Sequence, residues 1–433
     1  MQGARGMMRF AATKAATKER KIETLAESPL LFMPLSSYHG HFAHPIVQAG
    51  DRVLKHQLIA EAGDPFSAHV HAPVSGHIVG MQDFLDRDEG MAASMLVLQN
   101  DFEGACIDIP EVPPSDPPPE TILKLLAEAG VVGAGGAQFP AALKYRTAGH
   151  HVNAFILNGV ECEPYLTADY ALMREQTAAL FEGIRLINTL LLAIEVVIVI
   201  ESDNPELEAA FAPYLVQERY AGYRVQAVKD AYPQGSERQV VHAVTGREMA
   251  HPVHPSVEGF VVSNAGTVVA AYRALADRLP VVKRVLTISG EGVRQAGNYE
   301  VPIGTPVGFL LSQLDISPDR HTIVLGGPMM GRHVTDWSSP VTKGSGGVLV
   351  LPCAPVKREN CIACDRCIEA CPVRLMPLKY DEGWRRNDPG MLKRHHLHVC
   401  IECGACEHVC PANVPLMASI RAGKARLRQE GEP

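Results

Sequence analysis

Eight of the 11 cysteines fall into two closely spaced runs near the C-terminal end of the sequence. The first run starts at Cys361 and the second at Cys400, and both read C-x2-C-x2-C-x3-C-P. In a reducing compartment, clustered cysteines are more often metal ligands than disulfide partners. The two runs therefore predict a domain that is organised around bound metal.

This spacing is the one that ligates [4Fe–4S] clusters in bacterial two-cluster ferredoxins. Three thiolates on a tight loop can reach three corners of one cubane, while the fourth cysteine, before the proline, ligates the other cluster. One cluster is thereby assigned to Cys361, Cys364, Cys367 and Cys410. The other is assigned to Cys400, Cys403, Cys406 and Cys371.

Two structural zinc sites are the alternative interpretation of these cysteines. Such sites usually consist of two C-x2-C pairs separated by a longer loop. Zinc would gain nothing from a third and fourth cysteine at these offsets, each fourth one followed by proline. We therefore expect iron–sulfur clusters and one-electron transfer. The other cysteines, Cys106, Cys162 and Cys353, are expected to be small buried side chains.

Length and charge limit the functions open to the chain. Its 433 residues predict about three domains, and 46% hydrophobic residues are enough to form cores. A net charge of −8 argues against a nucleic-acid partner. The longest apolar stretch, Leu186 to Ile200, is interrupted and is shorter than the ~20 residues of a membrane span. No apolar block follows the basic N-terminal residues, so we expect a cytoplasmic protein.

The sequence pattern predicts an α/β multidomain chain. Residues 1–29 are basic and predict a flexible arm. Short apolar runs between Gly and Pro turns predict a β barrel-sandwich domain over 30–105. Prolines concentrated in 106–120 predict a stiff linker. The remaining predicted parts are a Rossmann-like α/β domain at 121–280, a small β-grasp domain at 281–345, and a helical cysteine-bearing domain at 353–420.

Local patterns support these divisions. Apolar runs at 154–158 and 196–201 predict buried parallel strands, and 120–129 has helical spacing. In the β-grasp segment, 286–290 predicts a strand and Gly297-Asn298 predicts a turn.

A glycine-rich loop, 130–145, follows the first predicted helix of the α/β domain. Glycines let backbone N–H groups approach a phosphate closely, and Lys144 could supply the compensating charge. The loop is neither a Walker A motif nor a well-formed G-x-G-x-x-G, so a plain tight turn is the alternative. Asn158, Glu161 and the loops at 232–237 and 262–267 follow other predicted strands, where open α/β sheets bind ligands.

Taken together, these motifs resemble a known family. The α/β domain is similar to the flavin- and NADH-binding fold of the 51 kDa subunit of respiratory complex I. The whole order of domains, with 326–331 reading GGPMMG, resembles the C subunits of Rnf (Rsx) ion-translocating electron-transport complexes. The resemblance covers about residues 30–415 and adds an SLBB-like character to the β-grasp domain.

The resemblance implies a role for each matching position. FMN phosphate would contact Gly133, Gly135, Gly136 and Lys144, and the adenine of NADH would stack on Phe139. Flavin and nicotinamide would contact Asn158 and Glu161, of which Glu161 is the catalytic candidate. Further flavin contacts would be Asn264 and Thr267, with Gly235 to Glu237 as a nucleotide-facing loop. The sequence departs from the complex I pattern at Ala134, Gln138, Val160 and Ser236.

The resemblance implies a peripheral electron-transfer subunit on the cytoplasmic face of the cell inner membrane. It would be part of a translocase-coupled NADH:ferredoxin-type oxidoreductase, with two [4Fe–4S] clusters and FMN as cofactors. Its partners would be NAD(H), ferredoxin, and integral and peripheral membrane subunits. One alternative is a soluble flavin and iron–sulfur reductase of a corrinoid cofactor, which would not need the barrel-sandwich domain. Another is an electron-transfer adaptor without a working flavin site.

Overall fold

The structure is a computed structural model, and it describes residues 6–10, 13–86, 91–109, 117–146, 151–249, 253–317, 320–353 and 357–430. No helix in these ranges is both long enough and apolar enough to cross a membrane.

The N-terminal β domain contains two small antiparallel sheets around one apolar core. The first strand of the chain, β1 (Ile22–Thr24), belongs to a different sheet. The domain itself is formed by β2 (Leu30–Pro34), β3 (Ala43–Pro45), β4 (Arg52–Val53), β5 (Leu58–Ala62), β6 (Val70–His71), β7 (Gly76–Asp86) and β8 (Met91–Asn100), with a 3-10 helix at Tyr38–Gly40. The sheets have the orders β2-β8-β7-β4 and β3-β5-β6. Buried side chains of both, such as Leu31, Ile59 and Leu96, form the shared core.

The predicted flexible arm is wrong for the described part of residues 1–29. Strand β1 pairs with another strand of the chain, and Met8 makes a backbone bridge to Tyr232. Lys14 is half-buried and forms an ion pair with the buried Glu201 at 3.0 Å. Strand β1, Met8 and Lys14 therefore fix this segment to the rest of the protein. Residues 1–5 and 11–12 lie outside the described residues.

The α/β domain has a parallel four-stranded sheet with the order β11-β10-β9-β12. Its strands are β9 (Ala154–Gly159), β10 (Glu195–Glu201), β11 (Tyr223–Val228) and β12 (Phe260–Asn264). Its helices are α1 (Pro119–Glu128), α2 (Ala141–Arg146), α3 (Ala168–Glu175), α4 (Thr177–Leu191), α5 (Pro205–Leu215), α6 (Glu237–Thr245) and α7 (Ala265–Leu275), with 3-10 helices at Glu218–Tyr220 and Pro255–Glu258. The predictions of a helix at 120–129 and parallel strands at 154–158 and 196–201 are confirmed.

The connection into this domain differs from the predicted linker of 106–120. Residues 105–107 pair with Lys55 of the N-terminal β domain, and α1 already starts at Pro119. Proline is favourable in a first helical turn, because its missing N–H has no helical partner there. The middle of the predicted linker, 110–116, lies outside the described residues.

A third, mixed-sheet domain has the strand order β1-β14-β13-β17-β15-β16. It comprises β13 (Lys283–Ser289), β14 (Gly297–Pro302), α8 (Val307–Ser312), β15 (His321–Leu325), β16 (Arg332–His333) and β17 (Gly347–Pro352). The neighbouring strands β13 and β17 are parallel, whereas β13–β14 and β15–β17 are antiparallel. The sheet thus extends beyond the predicted 281–345 to include β1 and β17. Gly297 and Asn298 begin a strand, so the predicted turn is wrong.

The cysteine domain is helical between its loops, as the sequence predicts. Its helices are α9 (Arg366–Glu369), α10 (Pro377–Arg385), α11 (Pro389–Arg394), α12 (Ala405–His408) and α13 (Leu416–Gln429), with a 3-10 helix at Leu397–Val399. Tyr380, Leu397 and Ile420 are fully buried in its core, which also contains Cys371 and Cys406.

Lys343 joins three domains at one point. Its ammonium donates to the main-chain oxygens of His69 and Gly130, both at 2.7 Å. These two residues lie in the N-terminal β domain and the α/β domain, whereas Lys343 precedes β17. Burial removes the hydration of the ammonium and lowers the pKa of Lys343 to about 7.

We expect Lys343→Met to change how stability depends on pH. The folded-state pKa lies below the ordinary 10.5, so the unfolded chain binds more protons between about pH 7 and 10. Stability of the wild type should therefore rise with pH in this window, by up to ~1.4 kcal/mol per unit relative to the variant. Unfolding midpoints of both proteins at pH 7, 8 and 9 test this. Parallel pH profiles would contradict it.

Candidate functional site

The eight run cysteines line two cavities in the cysteine domain. One, the outer cavity, is lined by Cys361, Cys364, Cys367 and Cys410. The other, the inner cavity, is lined by Cys371, Cys400, Cys403 and Cys406. Each cavity thus combines three cysteines of one run with the fourth cysteine of the other. This division agrees with the crossed ligation that the spacing predicts.

The arrangement fits a cluster better than a single ion. No group of three or more His, Cys, Asp or Glu side chains in the described ranges converges closely enough to hold one metal ion. A zinc ion needs its sulfur ligands about 2.3 Å away, whereas a four-iron cubane holds its thiolates further apart. Four cysteines around each cavity therefore fit two [4Fe–4S] clusters.

The cavities differ in solvent exposure. Cys361 and Cys364 are exposed, whereas Cys371, Cys403 and Cys406 are buried. Burial raises the pKa of the Cys403 thiol to about 12. Because iron binds the thiolate, assembly of a cluster in the inner cavity must release these protons.

The expectation that the three cysteines outside the runs are buried is wrong for two of them. Cys106 and Cys353 are exposed. Cys162 is half-buried, and its sulfur accepts a hydrogen bond from the Gly235 backbone N–H at 3.3 Å. Burial raises the pKa of this thiol to about 12.

The glycine-rich loop lies at the carboxyl edge of the parallel sheet. Its ends are joined by a hydrogen bond from the Gly133 N–H to the Phe139 carbonyl at 2.9 Å. The Ala134 N–H donates to the Thr267 hydroxyl, also at 2.9 Å. Gly135 and Gly136 are exposed at the tip, and Gly136 has a φ of +113°, a conformation that favours glycine. The loop is thus fixed at its base and open at its tip.

The structure brings the predicted nucleotide residues together from distant segments. Lys144 forms an ion pair with Glu237 at 2.8 Å. The Asn158 amide donates to the Gly235 carbonyl at 2.8 Å. Asn264 caps α7, and its side-chain oxygen accepts from the Gly266 and Thr267 backbone N–H groups. Asn158 and Asn264 lie at the carboxyl ends of β9 and β12, whereas Lys144 lies on α2 and Glu237 begins α6.

Glu161 is the centre of a buried charged group. Its carboxylate accepts from the backbone N–H groups of Asp169 and Tyr170, at 3.2 and 3.1 Å. Its main-chain oxygen accepts from the Lys14 ammonium, which is also paired with Glu201. Burial, with the Asp169 carboxyl beside it, raises the pKa of Glu161 to about 8. The folded protein therefore favours the protonated form of Glu161 more than water does.

Several residues of this site escape prediction from the sequence. Arg284, on β13, is half-buried. It donates to the Lys343 carbonyl at 2.5 Å, and its charge interacts with Asp169. The ring of Phe139 makes edge contacts with the rings of Tyr38 and Phe66, with centroid separations of 5.0 and 6.1 Å. Tyr38 and Phe66 belong to the N-terminal β domain. The sequence predicts Phe139 itself, but no local motif marks Arg284, Tyr38 or Phe66, because each of these three reaches the site from another domain.

One buried polar atom supports the fit of a nucleotide cofactor. Among the described residues, the Ser236 hydroxyl is buried without a hydrogen-bond partner. It lies between Gly235 and Glu237, in the predicted nucleotide-facing loop. A buried polar group without a partner is rare in native structures, because its lost hydration costs free energy. Together with the open glycine tip, this hydroxyl fits a bound phosphate-bearing ligand such as FMN.

Three family models match the chain. Residues 4–103 match the RnfC barrel sandwich hybrid domain, and residues 126–273 match the Nuo51 FMN-binding domain. Residues 360–414 match the 4Fe-4S dicluster domain. These matches confirm the predicted barrel-sandwich, FMN-binding and two-cluster domains, and with them FMN and two [4Fe–4S] clusters as cofactors.

A solved structure supports the fold. The crystal structure of an NAD+-reducing [NiFe]-hydrogenase in the H2-reduced state aligns with a TM-score of 0.54 and 19% identity. The alignment covers 74% of this chain and 68% of that chain. At this identity the likeness shows a shared fold.

Proteins named as the C subunit of an ion-translocating oxidoreductase complex are similar over nearly the whole chain. That of Rhodobacter capsulatus is 36% identical over 427 residues, covering 96% of this chain and 81% of its own. The protein of Pseudomonas aeruginosa is 35% identical, and the match covers 96% of this chain and 55% of that protein. The protein of Pasteurella multocida is also 35% identical, and the match covers 92% of this chain and 48% of that protein. The resemblance predicted from the motifs is thereby confirmed: the chain belongs to the family of C subunits of ion-translocating oxidoreductase complexes.

Proposed function

We propose that the protein is the peripheral electron-entry subunit of a membrane-bound, ion-translocating NADH:ferredoxin-type oxidoreductase. One observation carries this proposal. A single chain combines an FMN-binding domain with two four-cysteine cavities in a domain packed against it. Its partners would be NAD(H), ferredoxin and membrane subunits of the complex, on the cytoplasmic face of the inner membrane. The mixed-sheet domain would be the SLBB-like β-grasp part of this protein.

The residues of the α/β domain would hold FMN and orient NADH. When bound, FMN accepts a hydride and the clusters carry single electrons, so the pair of electrons is separated. The exposed backbone of Gly135 and Gly136 would bind the FMN phosphate, with the Ser236 hydroxyl as a further donor. Phe139 would stack on adenine, flanked by Tyr38 and Phe66.

The charged group around Glu161 would set the electrostatics of the nicotinamide position. A protonated Glu161 presents no negative charge to the dinucleotide, and it keeps its place through two backbone N–H groups. Lys14 holds the Glu161 main chain from the other side. Lys144 is paired with Glu237, so phosphate binding there would compete with this ion pair.

We expect Gly136→Ala to lower the FMN content strongly. A Cβ is strained at a φ of +113°, so the loop must change conformation, and the tip would lose its close approach to phosphate. Gly222→Ala is the matched control, because Gly222 also has a positive φ and lies in an exposed turn with open space around it. Flavin fluorescence after acid release and iron per chain measure the result. Equal flavin loss in both variants would contradict this role.

Anaerobic purification tests the proposed function as a whole. We expect about eight iron atoms per chain and releasable FMN. NADH alone should bleach the cluster absorbance, and the protein should co-purify with integral membrane proteins. A chain without FMN would favour an adaptor, and reduction of a corrinoid without membrane partners would favour a soluble reductase.

A further inference from the structure

The two cysteine cavities have different surroundings, and this difference orders them along an electron path. We propose that electrons pass between the α/β domain and the inner cavity of Cys371, Cys400, Cys403 and Cys406. The outer cavity of Cys361, Cys364, Cys367 and Cys410 would then exchange electrons with a separate redox protein. This order rests on the proposed function, since it presumes flavin in the α/β domain and a cluster in each cavity.

A buried tyrosine connects the nucleotide-facing loop with the inner cavity. Tyr232 is 1% exposed and lies three residues before Gly235. Its hydroxyl donates to the main-chain oxygen of Cys403 at 2.5 Å. Tyr232 also belongs to an apolar cluster that contains Cys403 and Ala405 and packs against Cys162. One side chain thus contacts a ligand residue of the inner cavity and the segment that lines the flavin site.

A second line of contacts runs in parallel. The Glu163 carboxylate accepts from the backbone N–H groups of Met329 and Met330, at 3.0 and 2.9 Å. Gly404 lies against Met329 so closely that an added Cβ would be 2.5 Å from its carbonyl oxygen. This close approach of two backbone segments leaves no room for water between them. The chain of contacts from Glu163 to the loop of Cys403 is therefore continuously packed.

The other face of the inner cavity is also covered by the protein. Pro372, which lines this cavity, accepts a hydrogen bond from the Gln239 amide on α6 at 3.5 Å. Gly6 approaches the Cys371 backbone, where an added Cβ would lie 2.9 Å away. The α/β domain and the N-terminal segment thus cover the Cys371-Pro372 backbone beside the inner cavity.

The outer cavity faces solvent instead. Both cavities are lined by the cysteine domain itself, but the loop that supplies Cys361 and Cys364 to the outer cavity lies at the protein surface. Residues 361–366 are all exposed, and Ile362 is 63% exposed. An electron on this side is accessible to a docked protein, whereas an electron in the inner cavity is shielded by the chain. The natural occupant of this face is a protein with a one-electron centre near its surface.

Mild iron chelation of the oxidised holoprotein tests the difference between the cavities without any turnover. We expect a fast phase that lowers iron from about eight to about four atoms per chain. Alkylation after this phase, read by mass spectrometry, should modify Cys361, Cys364, Cys367 and Cys410. Modification of the inner set first would overturn the proposal.

Reduction of the half-depleted protein tests the order itself. After the fast phase, we expect NADH to reduce the remaining cluster, seen by EPR, at a rate close to that of intact protein. A tenfold or greater decrease in this reduction rate would show that electrons from NADH reach the outer cluster first, and it would overturn the proposed order. Failure of NADH to reduce the intact protein would instead contradict the proposed function. The chelation experiment would still test the difference in exposure between the two cavities, because it does not depend on NADH.

Tyr232→Phe tests the contact with a minimal change. It removes only the hydroxyl that donates to the Cys403 main chain, so folding should be retained. Tyr299→Phe is the matched control, because Tyr299 donates to the Gln295 carbonyl at 2.9 Å in the mixed-sheet domain. We expect equal iron and FMN in both variants, and a several-fold slower reduction of the clusters by NADH in Tyr232→Phe alone. Equal rates in the two variants would contradict a role for this contact.

Discussion

Replacing Cys410 by alanine should remove the cluster from the outer cavity, although the other three cysteines of that cavity belong to the first run. Cys410 belongs to the second run in sequence, yet it lines the outer cavity with Cys361, Cys364 and Cys367. A [4Fe–4S] cluster that loses one of four thiolates is expected to be lost or strongly destabilised. Iron should therefore fall from about eight to about four atoms per chain, and one EPR signal should disappear.

The freed thiols identify which cluster is lost. In Cys410→Ala, alkylation under anaerobic conditions should reach Cys361, Cys364 and Cys367. Cys371→Ala is the matched control, because Cys371 lies in the first run but lines the inner cavity. There, alkylation should reach Cys400, Cys403 and Cys406. If each variant exposed thiols of its own run instead, each run would hold one cluster alone and the crossed ligation would be wrong.

The sequence predicts what depends on local order. Cysteine spacing fixes which thiolates can meet, because the tight loops leave little freedom within each run. The parallel strands β9 and β10 are also predictable, since each is a continuous apolar run buried on both faces. The residues at their carboxyl ends, such as Asn158, follow from the geometry of any parallel sheet.

The errors arise where distant segments supply the hydrogen bonds. Asn298 looks like a turn residue, yet it is fully buried in a strand. Its amide donates to the Thr17 carbonyl at 3.2 Å, and its oxygen accepts from the hydroxyls of Thr287 and Thr167 at 2.9 and 3.0 Å. These partners come from the N-terminal segment, the mixed sheet and the α/β domain. No local pattern can reveal such a network, so turn propensity gives the wrong answer there.

The basic N-terminal segment escapes prediction for a similar reason. A run of lysines and arginines usually indicates a solvated segment, because a buried charge without a partner is very unfavourable. Lys14 has such a partner in Glu201, which is 187 residues away in sequence. Residues so far apart in sequence give no local sign of this pairing. Because Lys14 is paired with Glu201, its charge fixes the N-terminal segment to the site and does not indicate disorder.

Replacing Lys14 by methionine should destabilise the protein by about 3 kcal/mol or more. The change leaves the Glu201 carboxylate, whose side chain is 2% exposed, without its ion-pair partner, and breaking a buried pair in this way is strongly destabilising. Lys18→Met is the matched control, because its partner Glu206 has a 40% exposed side chain. Pairs of that kind contribute about 1 kcal/mol or less. Unfolding midpoints in urea measure both variants.

The loss of unfolding free energy caused by Lys14→Met should also increase with pH. Burial raises the pKa of Glu201 to about 7, although the Lys14 ammonium favours the ionised form. A folded pKa above the ordinary 4.5 means that the contribution of this carboxyl to stability falls as pH rises toward 7. Without Lys14 the pKa of Glu201 rises further, so in the variant the free energy of unfolding continues to fall at higher pH. The difference between wild type and Lys14→Met should therefore be larger at pH 8 than at pH 6. Adding Glu201→Gln to Lys14→Met should reduce this pH dependence to the part that comes from Glu161, whose pKa Lys14 also lowers. A difference that is constant with pH would show that the ion pair does not carry the effect.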